Sequence, residues 1–393
     1  MKILYKICSV IILVAYLCCS CESGKAKYEK AIRQKMVDPD ATLETVALFD
    51  NLMKLSENHI IFGHQAATEY GRNWQNEDNR SDVKDATGSH PGVIGHDFSG
   101  FTRPEQSVES IEREQQRLAK LIASTYDRGG VITICWHSPN PVTGGNYAAS
   151  ESSGRPVGNI IPGGSHHEKY KEILTRIANF ANNVKGSDGK LVPMIFRPYH
   201  EFDGSWFWWG ARHCTREEFI ELWRFTVTYL RDELKVRNFI YAFSPDCLYN
   251  SEEDFLKRYP GDEYVDMVGV DNYADFGRDG PGRLEAGIKK LKIVSDYALK
   301  NQKLAAFTET GLEAIPDTTW WTKTLLYALK EHDVKMCYAL VWRNAYRGGK
   351  HYYATTLDHP SYDNFMEFYN DPFTLFENDL SDMYVLKPWQ INK

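Results

Sequence analysis

Eight short apolar runs punctuate the chain: HIIFGH (59–64), PGVIGHD (91–97), VITICWH (131–137), LVPMIFRPYHE (191–201), NFIYAFSP (238–245), VDMVGVDNY (265–273), LAAFTET (304–310) and KMCYALVWRN (335–344). Most are rich in Val, Ile and Phe and alternate only weakly, as parallel strands buried on both faces do. Amphipathic stretches lie between them. In 107–128 the apolar positions Val108, Ile111, Leu118, Leu121 and Ile122 share one helical face. Phe219, Leu222, Trp223, Thr226 and Leu230 do the same in 215–235, where Thr215 and Glu218 form a capping box, and Leu284, Ile288, Leu291 and Ala298 repeat the pattern in 283–300. Eight strand–helix units predict an α/β fold, a (β/α)8 TIM barrel. A doubly wound open sheet is the competing arrangement, but no GxGxxG follows the first strand.

The polar residues favour the barrel. They gather at the C-terminal ends of the runs: His64, His96 with Asp97, Trp136 with His137, His200 with Glu201, Asp271 with Tyr273, Glu309, and Trp342 with Arg343. In a barrel all those ends open on one mouth. The segments after the strands are also the long ones, notably 65–90, the Gly/Pro/Ser-rich 138–165 and 345–360, whereas returns such as RGG (128–130) are short. Long, irregular βα loops on one face form the walls of a substrate cleft.

The first residues follow a different pattern. MKILYK carries positive charge, ICSVIILVAYL is an apolar run too short for a comfortable membrane span, and CCSC closes it at 18–21. Residues 1–21 therefore read as a lipoprotein signal peptide, with Cys21 the lipidated residue and Cys19 the alternative. Residues 22–40 read as a polar tether and 41–393 as the catalytic domain. The protein is expected to be lipid-anchored in a bacterial cell envelope, periplasmic or at the outer-membrane surface; the lack of a strong acidic run after Cys21 favours the periplasm. A net charge of -7 with no basic run excludes nucleic acid as a partner. Beyond the leader, Cys135, Cys214, Cys247 and Cys337 show no CxxC spacing, which argues against a zinc site, and Cys135 and Cys337 read as core thiols.

The stretch RPYHEFDGSWFWWG (197–210) concentrates charge and indole as neither a buried strand nor a solvated loop requires. Glu201 ends the fourth run and Glu309 the seventh. Glycosidic hydrolysis commonly needs one carboxylic acid to protonate the leaving oxygen and a second carboxylate to attack the anomeric carbon or activate water. A pyranose also offers an apolar face on which an indole stacks and polar edges that Asp, Asn, Arg and His bind. Trp206, Trp208 and Trp209 follow Glu201 closely enough for at least one to line its subsite, with Trp208 or Trp209, or both, packed beneath the loop. Arg197, His200 and Asp271 are further candidates for substrate contact. Trp136 and Trp342 fit either a sugar platform or barrel packing; Trp320 and Trp321 fit packing. His64, His96, His137 and His200 with Asp97 and Asp271 could be read as a metal set, but the first strand carries FGHQ in place of HxH, and no metal or other cofactor is expected.

These motifs resemble glycoside hydrolase family 26, whose commonest activity is that of a mannan endo-1,4-β-mannosidase. HEFDGSWFWWG (200–210) looks like the family's acid/base segment, FTETG (307–311) like its nucleophile segment, and WHSPN, VDNY and VWRN fit in the right order. The resemblance implies a (β/α)8 barrel and net retention, with Glu201 as general acid/base and Glu309 as nucleophile. His200 would contact the site around Glu201, and Trp206 would lie on the leaving-group side. His137 and Tyr273 would surround the sugar at the cleavage point, Tyr273 positioning Glu309, while Trp342 and Arg343 would serve the glycone subsites. The expected substrate is β-1,4-mannan, galactomannan or mannooligosaccharide, cleaved internally or as mannobiose by a monomeric enzyme. The alternatives are the same chemistry on mixed-linkage β-glucan or β-1,3-xylan, or a non-catalytic glycan-binding lipoprotein. FDG after Glu201 departs from the MNG of many relatives and brings Asp203 close to the acid/base.

Overall fold

The computed structural model describes residues 24–151 and 153–387. Its eight runs form the strands β1 (Ile60–Gln65), β2 (Val93–Asp97), β3 (Val131–Trp136), β4 (Met194–Pro198), β5 (Phe239–Phe243), β6 (Met267–Asp271), β7 (Leu304–Thr310) and β8 (Tyr338–Val341). Each pairs in parallel with the next, and β8 returns to β1 with Ile61 beside Tyr338 and His64 beside Val341, closing the barrel. Nearly every strand residue is buried, which is why the runs lack strict alternation.

The expected helices form at Val108–Asp127, Arg216–Thr228 and Leu284–Asn301. Both halves of the Thr215–Glu218 capping box are made, and the second helix continues through a π-helical turn at Tyr229–Glu233. One apolar cluster fills the space between strands and outer helices, with Leu118, Ile122, Phe219, Leu222, Trp223 and Leu291 contributed by these three helices. A second, with Ile61, Val93, Val131, Ile195, Ile240 and Met267, lies inside the barrel toward its N-terminal end.

That inner cluster is closed by the start of the chain. Helix α1 (Gly24–Arg33) and helix α2 (Leu43–Leu55) bring Ile32, Val46, Leu48, Phe49 and Leu52 against it. Met36 and Val37 are buried, and the Val37 N–H donates to Asp266 over 2.7 Å. From Gly24 onward, the stretch expected to act as a tether is thus packed on the barrel; three apolar side chains among polar ones suffice. The expected signal peptide and Cys21 lie outside the described residues.

The fourth strand ends earlier than its apolar run suggests. Proline cannot donate to a ladder, and β4 stops at Pro198. Tyr199 and Glu201 then take left-handed backbone conformations, with φ of 51° and 53°.

Candidate active site

Glu201 therefore sits on a strained turn above the strand end rather than on the strand. Left-handed backbone at a non-glycine residue costs on the order of 1–3 kcal/mol and persists only where surrounding contacts impose it. Here they do. The Glu201 N–H donates to the Ser244 carbonyl over 2.9 Å. Trp209 donates its indole N–H to the His200 carbonyl over 2.9 Å, and Trp208 donates to the Ser138 carbonyl over 2.8 Å. Both indoles are fully buried, so they fasten the turn and touch no substrate. Trp206 differs: it is 41% exposed, and its Nε1–H donates to Glu201 Oε2.

Beneath the mouth lies a charged floor. Arg197 on β4 donates to Asp271 on β6 over 2.7 Å, to the Ser244 hydroxyl over 3.1 Å, and to Oε1 of Glu309 on β7. Thr308 donates to the other oxygen of Asp271 over 2.6 Å. The Tyr273 hydroxyl donates to Oε2 of Glu309 over 2.9 Å. Both oxygens of Glu309 are thus held, one by a cation and one by a neutral donor. Arg197 and Asp271 were expected to contact substrate. They are buried at 2% and 0% exposure and engaged with each other, because their strand positions point into the barrel below the mouth. Their place is under the nucleophile candidate.

One carboxylate oxygen each from Glu201, Asp271 and Glu309 lies within 4.8 Å of the other two. This crowding has a clear electrostatic result. Burial, then the negative charges of Asp271, Glu309 and Asp246, push the Glu201 carboxyl well above its usual range. Burial, then the charges of Glu309, Glu201 and Asp271, hold Tyr273 well above its usual range, so its hydroxyl remains a donor. Burial and the nearby Arg197 keep His200 well below its usual value, hence neutral.

The two glutamates open on a cleft of about 750 Å³, which His137, His200, Trp206, Tyr273 and Trp342 also line. His137 is oriented by Asp97, its Nδ1 lying 2.6 Å from the carboxylate. Arg343 is not among the lining side chains; it donates to the Tyr70 hydroxyl over 3.2 Å and ties β8 to the loop after β1. Trp136 is buried on Thr102, and Trp320 and Trp321 are buried as well, so all three are packing. The sequence reading missed Asp246 and Tyr353, which also line the cleft. Asp246 follows β5, where its polar strand-end position was a usable signal; Tyr353 lies deep in a long loop that carried none.

The histidines do not form a common metal set. His64 and His96 are buried in the barrel, His96 bonded to Glu69 over 2.8 Å. Among the described residues, the donor atoms that do converge in threes are those of Glu201, Asp271 and Glu309, and those of Asp97, Cys135 and His137.

A closed (β/α)8 barrel with two opposed glutamates in an aromatic cleft has the architecture of a retaining glycoside hydrolase. Residues 37–317 match the model of glycosyl hydrolase family 26, and the chain belongs to that family. It is 40% identical to GH26C from Muricauda sp. MAR_2010_75, with a TM-score of 0.86 over 92% of this chain and 98% of the other. It is 38% identical to a GH26 β-mannanase from Bacteroides ovatus, with a TM-score of 0.81 over 89% and 99%. A mannan endo-1,4-β-mannosidase of Bifidobacterium adolescentis is 35% identical over 81% of this chain, which spans 33% of that longer protein's length.

Proposed function

We propose that this protein hydrolyses β-1,4-mannosidic bonds in mannan, galactomannan or mannooligosaccharides with net retention. The observation that carries the reading is the approach of Glu201 and Glu309 to within 4.8 Å at one oxygen each, with burial and the neighbouring carboxylates raising the Glu201 carboxyl. Retaining enzymes keep their carboxyl groups roughly 5–5.5 Å apart, whereas inverting ones leave room for water at roughly 6.5–9.5 Å. The names of the relatives support mannan as the substrate over mixed-linkage glucan or β-1,3-xylan.

The chemistry follows from the geometry. Glu309, held by Arg197 and Tyr273, attacks the anomeric carbon while Glu201 gives its proton to the departing glycosidic oxygen. A glycosyl ester on Glu309 results. Loss of the carboxylate charge from Glu309 then weakens the field that kept Glu201 protonated, so Glu201 can take a proton from water as that water opens the ester. His137 and Trp342 line the cleft with the two glutamates and would grip the sugar at the cleavage point and in the glycone subsites respectively, and Trp206 both offers a stacking face and bonds to the acid.

Internal cleavage is supported by the shape of the surface. Past His137 the cleft meets a second depression of about 620 Å³ lined in part by Arg103, Asn146 and Tyr147, room for further sugar units. Chromatography of the earliest products from linear β-1,4-mannan tests this: a spread of oligosaccharides is expected, mannobiose alone would make the enzyme end-acting, and no release would remove mannan as the substrate. The leader supports anchoring in the cell envelope through Cys21, which mass spectrometry of the mature N-terminus tests. We take the enzyme to act as a monomer, testable by light scattering.

A further inference from the structure

At the ends of β2 and β3, where His137 lines the cleft, three different metal-binding side chains lie within reach of one another. Cys135 Sγ is 3.6 Å from Asp97 Oδ2 and 3.8 Å from His137 Nδ1, and those latter two atoms are 2.6 Å apart. Tetrahedral zinc with ordinary bond lengths needs sulfur–nitrogen and sulfur–oxygen edges of about 3.6 Å and a nitrogen–oxygen edge of about 3.4 Å. Two of the three edges are already close to that; the third is a hydrogen bond that a metal would replace and widen by under about 1 Å.

From this geometry we infer that Asp97, Cys135 and His137 form an inhibitory site for a thiophilic divalent cation such as Zn2+ or Cd2+. The thiol proton leaves to solvent, the imidazole proton shifts from Nδ1 to Nε2, and Nδ1, the thiolate and the carboxylate then bind the ion. Asp97 and His137 are partly exposed while Cys135 is buried, so entry is from the cleft side and a fourth position is left for water. The thiol now donates to the His96 carbonyl over 3.4 Å and accepts from Gln65, contacts that fix its direction. Spacing rules do not find the site, because its donors come from two neighbouring strand ends. An ion there would come between His137 and Asp97, shift the imidazole and place positive charge beside the sugar site. That this inhibits rests on the mannan-hydrolase reading; that the metal binds does not.

The test uses the full chain with ZnCl2 and CdCl2. Zn2+ is expected to slow mannan hydrolysis and a chelator to restore it. In Cys135→Ser or Cys135→Ala, uninhibited activity should persist while the inhibiting Zn2+ concentration rises at least tenfold. Cd2+ should give an ultraviolet thiolate-to-metal band, larger in the unmodified chain than in Cys135→Ser by one thiolate per chain; this reading needs no activity. Should the Cys135 variants fold poorly, Asp97→Asn must weaken Cd2+ binding, read in the same band, at least tenfold. Inhibition equal in both chains, assigning the ion to the catalytic carboxylates, would overturn the inference, as would an unchanged Cd2+ band or Cd2+ affinity in the variants.

Discussion

The Tyr273 hydroxyl stands 2.9 Å from Oε2 of Glu309 and donates to it, while Arg197 occupies Oε1. A carboxylate held at both oxygens is aimed, but each donor also stabilises the charge it must spend in attack. A neutral donor suits this better than a second cation would. Tyr273→Phe removes the aim at one oxygen. A hydrogen bond to a charged group contributes about 1.5–3 kcal/mol, so kcat is expected to fall roughly 10- to 100-fold with KM little changed, measured on mannooligosaccharides.

Loss of either glutamate separates the two chemical steps. Glu309→Gln should abolish turnover. Glu201→Ala should retain attack on a substrate with an activated leaving group, since no proton need be donated, yet stall at the glycosyl ester. Added azide would then release a β-glycosyl azide. Product anomers read by NMR distinguish retention from inversion.

Asp246 is a negative charge whose removal is predicted to change the pH profile. It lines the cleft and is one of the carboxylates that raise Glu201. In Asp246→Asn the Glu201 carboxyl becomes more acidic, so it loses its proton at lower pH. The alkaline limb of kcat/KM should move down by up to about one pH unit, while the acid limb stays nearly in place.

Asp203 offers a stability test with a definite sign. It accepts the backbone N–H of Asp246 over 2.7 Å, and burial with the Asp246 charge pushes its carboxyl up to about 7. The folded state therefore resists ionisation more than the unfolded state does. That penalty is absent at pH 3, grows as pH rises toward 7 and is complete above it. Asp203→Asn keeps the acceptor without the charge. Its Tm should exceed that of the unmodified protein at pH 8 and match it at acid pH.

Arg197 tests the floor. It faces two carboxylates, Asp271 and Glu309, with almost no exposure. Removing one partner of a buried ion pair costs about 3–5 kcal/mol. Arg197→Met should lower the denaturation midpoint and abolish activity together, whereas Tyr273→Phe should lower activity with little loss of stability.

Much of this was legible because the barrel repeats its own signal. Each apolar run ended in polar residues, and eight such ends imply one mouth before any distance is known. The reading of Trp208 and Trp209 as packing also held, since two adjacent indoles cannot both lie on a sugar while the loop beneath them stays unfilled. Arg197 misled because arginine beside an acid/base motif looks the same whether it faces the cleft or the floor; only closure of the barrel set Asp271 and Glu309 against it and buried it there. Helix α1 was hidden because its amphipathic face is narrow and its polar residues dominate the local composition.

The chain order alone determined the eight strand–helix units, the capped helices between them and the two glutamates at strand ends, because these follow from periodicity and local backbone chemistry. Tertiary structure decided what stands next to what: the donors on each oxygen of Glu309, the carboxylates that keep the proton on Glu201, the pairing of Asp203 with Asp246, and the approach of Cys135 to Asp97 and His137. Those are distances between segments far apart in sequence, and electrostatic and hydrogen-bond energies depend on distance and burial, which no local pattern encodes.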